Sequence, residues 1–194
     1  MITINPGETK NITLNIKTVV IDPDAFDGVD MEIVRLLEEL IEGGSSEVIP
    51  DDIAKSDPAT EIELCTEATL SMDKNGRVEI VYRENEDDEL LATLSKIIFS
   101  RNDPELVMMS KEGPINTFLS FESGKTHICT YNTPFMPLKV YVESQKIENR
   151  LLEGGELKLN YVLNLNDSTP QHFLINASIK DAPDDILKDF LSNT

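Results

Sequence analysis

The run from Gly113 to Lys180 constrains this chain more than any other stretch. It is a near-continuous series of strand-length segments, and each stops at a turn signal. Thr117 to Phe121 stops at Ser123-Gly124, and Lys125 to Tyr131 stops at Asn132-Thr133-Pro134. Leu138 to Ile147 runs out before Gly154-Gly155, Glu156 to Leu165 stops at Asn166-Asp167, and Gln171 to Lys180 closes the series. Short segments with turns every ~10 residues, and no helical period between them, predict a closed barrel or a sandwich of antiparallel strands.

The earlier chain supplies more of the same. Asn11 to Val20 alternates Ile12, Leu14 and Ile16 with Thr13, Asn15 and Lys17, the pattern of a half-buried strand. Thr60 to Met72 is the next strand. Asn75-Gly76 follows it, the strongest short hairpin signal present, because glycine supplies the positive φ such a turn needs. Arg77 to Arg83 returns with Val78, Ile80 and Tyr82 on one face, and Glu84 to Glu89 reads as a solvated acidic loop. Leu91 to Phe99 and Glu105 to Met109 are strands divided by Asn102-Asp103-Pro104. Phe118 falls on the opposite face of its strand from Thr117, Leu119 and Phe121.

Two segments depart from this rhythm within what reads as a single domain, 1–194. Residues 22–57 hold twelve acidic side chains against Arg35 and Lys55, a local charge of −10 in a chain of −19. Within them Ile33, Leu36, Leu37, Leu40 and Ile41 recur at helical spacing, and Gly43-Gly44 is a natural stop. A helical insertion between the first and second strands is expected. At the other end Asp181-Ala182-Pro183 opens a short predicted helix over 182–192, with Ile186, Leu187, Phe190 and Leu191 on one face.

Composition narrows the function classes. An acidic excess of this size repels nucleic acid and anionic membrane, and no Lys/Arg cluster offsets it locally. No stretch approaches the roughly 20 apolar residues of a membrane span. The first residues lack a basic segment followed by an apolar one, so no signal peptide is read there. Cys65 and Cys129 are too few and too far apart for a disulfide framework or a Cys-x-x-Cys metal site. These features point to a cytoplasmic protein with no cofactor.

The order of motifs resembles a bacterial family, the YwiB-like domain of unknown function. The carriers are Asn75-Gly76-Arg77-Val78-Glu79-Ile80-Val81-Tyr82-Arg83-Glu84, then Thr117 to Phe121 with Ser123-Gly124, then Thr133-Pro134-Phe135. Gly154-Gly155-Glu156-Leu157-Lys158-Leu159-Asn160-Tyr161 completes the set. The resemblance covers Asn11 to Val20 and Thr60 to Lys180. It implies a calycin-type, lipocalin-like antiparallel β-barrel and carries over no catalytic residues.

Candidate chemistry is sparse. His127 and His172 are the two histidines, and they form neither an H-x-H nor an H-x-x-x-H pair. A G-x-S-x-G nucleophile elbow is missing. Asp22, Asp24, Asp27, Asp30 and Glu32 invite a calcium reading, but the fifth position from Asp22 is Phe26 and Gly28 comes one residue late. An enzyme would need a pocket that brings His127 or His172 near a carboxylate or Cys129. A barrel of about eight strands encloses either a packed core or one small ligand. Phe118, Phe121, Tyr131 and Tyr161 are the candidate lining residues, and they serve equally to fill it. The sequence therefore supports a non-catalytic module for a small apolar or amphipathic ligand. The alternative is a protein-interaction module that uses the acidic insertion helix or an exposed strand edge.

Overall fold

A computed structural model describes residues 2–21, 59–85, 91–165 and 170–182. It contains ten strands: β1 Thr9–Ile21, β2 Ala59–Met72, β3 Arg77–Glu84, β4 Thr93–Ser100, β5 Asp103–Glu112, β6 Asn116–Phe121, β7 Thr126–Asn132, β8 Pro137–Asn149, β9 Glu156–Leu165 and β10 Gln171–Asp181. Each pairs antiparallel with its sequence neighbour, and β1 also pairs with β10, which closes the barrel. The ten strands fall where the ten strand-length segments of the sequence placed them. Both predicted helices, within 22–57 and over 182–192, lie outside the described residues, apart from Ala182 just after β10.

Alternation explains the wall. Ile12, Leu14 and Ile16 on β1, Val78, Ile80 and Tyr82 on β3, and Leu157, Leu159 and Tyr161 on β9 all turn inward and are buried. They join one connected core with Phe99, Val107, Phe121, Val140 and Ala177. The β2–β3 turn forms where Asn75-Gly76 placed it. Gly76 has φ 82°, and the Asp73 carboxylate accepts hydrogen bonds from the backbone N–H of Asn75 at 2.8 Å and of Arg77 at 2.9 Å. The expected break at Asn102-Asp103-Pro104 is shorter than read: β5 already starts at Asp103, after a register shift between Phe99 and Ser100.

The up-and-down order sorts the connections into two sets. The turns after β2, β4, β6 and β8 lie at one end with the N-terminal segment; the connections after β1, β3, β5, β7 and β9 lie at the other. The first end is sealed. Ile2 and Ile4 fold into it, held by hydrogen bonds from Gly7 N to Met72 O (2.7 Å) and from Met72 N to Glu8 O (3.1 Å). Leu151, on the 3-10 turn Leu151–Glu153, is fully buried in the same core.

Candidate functional site

Towards the other end the inward row changes character. Ile80, Ile97, Met109 and Leu119 face each other across β3 to β6 as one apolar row. Two residues further along each strand the partners in register are Tyr82, Ser95, Lys111, Thr117 and, on β7, Tyr131. Five neighbouring strands thus switch from apolar to polar at the same level. Glu84, the next inward position of β3, completes the cluster.

These groups bond to one another. The Ser95 hydroxyl, 1% exposed, donates to the Glu84 carboxylate at 2.7 Å, and the Lys111 ammonium donates to its other oxygen at 2.8 Å. The pair is open to solvent at its outer side: the Lys111 side chain is 42% exposed and that of Glu84 20%. Below it, burial and then the neighbouring Glu84 charge push the Tyr82 phenol well above its ordinary range, so it stays a neutral hydroxyl at any physiological pH.

Apolar side chains from other strands pack on the core at the same end. Leu64 on β2, Leu165 on β9 and Phe173 on β10 are half-buried and pack on the edge of the core. Phe173 stacks on Tyr161 with ring centroids 5.0 Å apart, and Tyr161 meets Phe121 at 4.8 Å in a tilted arrangement. This aromatic column runs from the centre of the barrel to the mouth. Among the described residues, Leu91, Ile115, Phe135 and Met136 are exposed apolar side chains on the connections of that end. Phe135 is 95% exposed because the Thr133 hydroxyl organises its loop, accepting from the N–H of Phe135 (3.3 Å) and Met136 (3.1 Å).

The histidines and cysteines do not join this cluster. His172 lies on the outer face, opposite Ile21 and Val162 in register. His127 and Cys129 share an inward face of β7, two residues apart. The His127 Nε2 stands 3.8 Å from a Glu122 carboxylate oxygen, beyond hydrogen-bond length, near the sealed end. Burial pushes the Cys129 thiol up, which keeps it protonated and a poor nucleophile. Cys65 is exposed and free. Among the described residues no three His, Cys, Asp or Glu side chains converge as a metal site, and no helix is long and apolar enough to cross a membrane.

The family described as Domain of unknown function (DUF1934) matches residues 49–176. The chain belongs to the DUF1934 family. The crystal structure of the ywiB protein from Bacillus subtilis superposes on it with a TM-score of 0.55 at 18% identity, over 88% of this chain and 92% of that one. At that identity the likeness speaks for the shared barrel, and it agrees with the YwiB-like motif order. No curated protein matches the chain.

Within this DUF1934 barrel the four aromatic candidates separate. Phe121 and Tyr161 are core residues, and Tyr131 is half-buried at the polar row. Phe118 is 49% exposed on the outer face, as its parity requires, and lines no interior. Sequence reading missed Glu84, Ser95 and Lys111, and it placed Glu84 in a solvated loop although β3 extends through it. The signal was there: each lies two residues beyond an inward apolar position, so continuing the alternation puts it inside. Phe173, the third ring of the column, was open to the same argument. An exposed strand edge is not available at the ends of the sheet, because β1 pairs with β10.

Proposed function

We propose that this protein is a cytoplasmic, non-catalytic binding module of calycin type, whose ligand is a small amphipathic molecule held at the end of the barrel where Glu84, Ser95 and Lys111 lie. One observation carries the reading: β3 to β7 turn polar groups inward at a single level, and the apolar side chains of Leu64 on β2, Leu165 on β9 and Phe173 on β10 pack on the core from the other strands. A filled barrel needs no such row, since leucines at those inward positions would bury apolar area that Glu84, Lys111 and Thr117 give up. The pairing of convergent polar groups with an apolar wall is what small-molecule sites share. A ligand head with both donor and acceptor groups matches Lys111, Glu84, Ser95 and Thr117, and its apolar part matches Phe173, Leu165 and Leu64. The neutral Cys129 thiol and the scattered histidines favour binding over catalysis. The two unpaired cysteines suit a reducing compartment.

The test is native mass spectrometry on protein purified gently from its own cells, compared with the denatured mass. Extra mass that vanishes on denaturation, and that Lys111→Met abolishes, supports the reading. A bare monomer mass, with no adduct recovered by adding cell-extract lipids and metabolites, overturns it. A bare multiple of the chain mass moves the assignment to protein contacts, for which Phe118, Ile128 and Tyr141 are exposed on the outer face of β6, β7 and β8.

A further inference from the structure

The sealed end carries a second feature, independent of the mouth: a cleft of about 300 Å3 between the N-terminal segment, the β4–β5 turn and the 3-10 turn after β8. Core side chains form its floor, among them Ile4, Met72 and Phe99. Two arginines line it, Arg101 and Arg150.

The fold fixes both positions from the backbone. Arg101 N donates to Gly76 O at 2.8 Å, which seats the β4–β5 turn on the β2–β3 turn. Arg150 N donates to Glu156 O at 2.9 Å, and Arg150 O accepts from the N–H groups of Glu153 and Gly155, each at 3.0 Å. Residue 155 is glycine for a steric reason: a Cβ there would meet the Arg150 Cβ at 2.8 Å and its carbonyl oxygen at 3.3 Å. The Asn149 amide donates to Pro104 O at 3.1 Å and ties the two arginine-bearing segments together.

Arg77 pairs with Glu79 at 3.9 Å, whereas among the described residues no carboxylate lies within ion-pair distance of Arg101 or Arg150. Glu153 also lines the cleft and opposes an anion there, but the two guanidiniums outnumber it. Arg150 further contributes, after Lys146 and Lys158, to holding the Glu148 carboxyl below its ordinary range. A guanidinium is planar and offers forked donors that match phosphate and carboxylate oxygens. The volume sits at the small end of ligand sites, roughly 300 to 1,000 Å3.

We propose that this cleft binds a small organic oxyanion, a phosphate or carboxylate head between Arg101 and Arg150 with a short apolar tail on the Ile4, Met72 and Phe99 floor. Hexyl phosphate, titrated calorimetrically against the full chain, is the probe. Wild type binds it, and Arg101→Gln and Arg150→Gln each weaken binding by about ten-fold or more, the scale of one charge-assisted hydrogen bond. Arg83→Gln, which removes an exposed arginine far from the cleft, leaves binding unchanged. Three results overturn the proposal: no binding by wild type, equal loss in all three arginine variants, or loss in Lys111→Met with the cleft variants unaffected. The last would place the anion at the mouth. Circular dichroism spectra that overlay for all variants keep a folding defect from passing as a lost site.

Discussion

At one end of the barrel Ile2, Ile4 and Leu151 fill the space between the strands; at the other, the same strands turn Tyr82, Ser95, Lys111 and Thr117 inward. The difference separates what holds the fold from what the fold presents. Apolar burial stabilises in proportion to the area removed from water, about 25 cal/mol per Å2, and it is concentrated toward the sealed end of the interior. The mouth gives up part of that gain. A lysine paired with a glutamate there contributes little, because both side chains keep solvent contact.

The sharpest way to break the comparison is to remove a side chain from the middle of the filled part. Phe121 is fully buried and packs its ring against Tyr161 at 4.8 Å. Phe121→Ala is expected to lower unfolding free energy by about 3–5 kcal/mol, the usual cost of a core aromatic with its cavity. Urea denaturation followed by far-ultraviolet circular dichroism measures it. A loss under about 1 kcal/mol would show that the column tolerates a gap, and that the interior is looser than its burial implies.

Next in size is Gly155→Ala. The added methyl must displace Arg150, whose backbone closes the turn after β8, and overpacking of this kind costs about 1–3 kcal/mol. The same change moves Arg150 and should weaken hexyl phosphate binding, which ties stability at the sealed end to its cleft. Lys111→Met lies further down the scale. It is expected to shift stability by less than about 1 kcal/mol in either direction, while it removes the ligand adduct. A large destabilisation would mean that the polar row serves the fold, and the contrast between the two ends would collapse.

The sequence was most legible where a period of two ran into a turn signal. Gly76 and the alternation of β1 and β3 follow from that rule and hold in the structure; the same parity puts Phe118 outside, against its place among the candidate lining residues. All ten strand segments were legible in this way; whether they close as a barrel or split as a sandwich was not, because the β1–β10 pairing is long-range and no local pattern encodes it. The mouth was hidden for a different reason. Glu84 follows an arginine and precedes more acids, so composition argued for solvent, while its position on β3 argued for the interior. Position prevailed because Ser95 and Lys111, distant in sequence, supply its hydrogen bonds. The arginine cleft joins the N-terminal segment with two separate connections, and spacing along the chain carries no trace of it.

The smallest expected effect lies outside both ends and tests whether the outer face is neutral to the fold. Burial beside Ile21 and Val162 lowers the His172 pKa below its ordinary 6.5, and the nearby Glu143 only partly opposes this. A base depressed in the folded state binds fewer protons there than when unfolded, so stability rises with pH. Above 6.5 the imidazole is neutral in both states and contributes nothing; as pH falls below 6.5 a penalty grows, complete once the folded pKa is passed. Glu8 and Glu148, both held below their ordinary 4.5, act later: their stabilisation is present above 4.5 and is lost only as pH falls through their folded values. Thermal melts between pH 7.5 and 5.5, about a unit either side of the imidazole range, isolate the histidine. The wild-type midpoint should fall across this window and that of His172→Gln should fall less, with the two curves parallel above it. Parallel curves throughout would show that His172 is solvated in both states, and that the outer face of β10 imposes no desolvation on it.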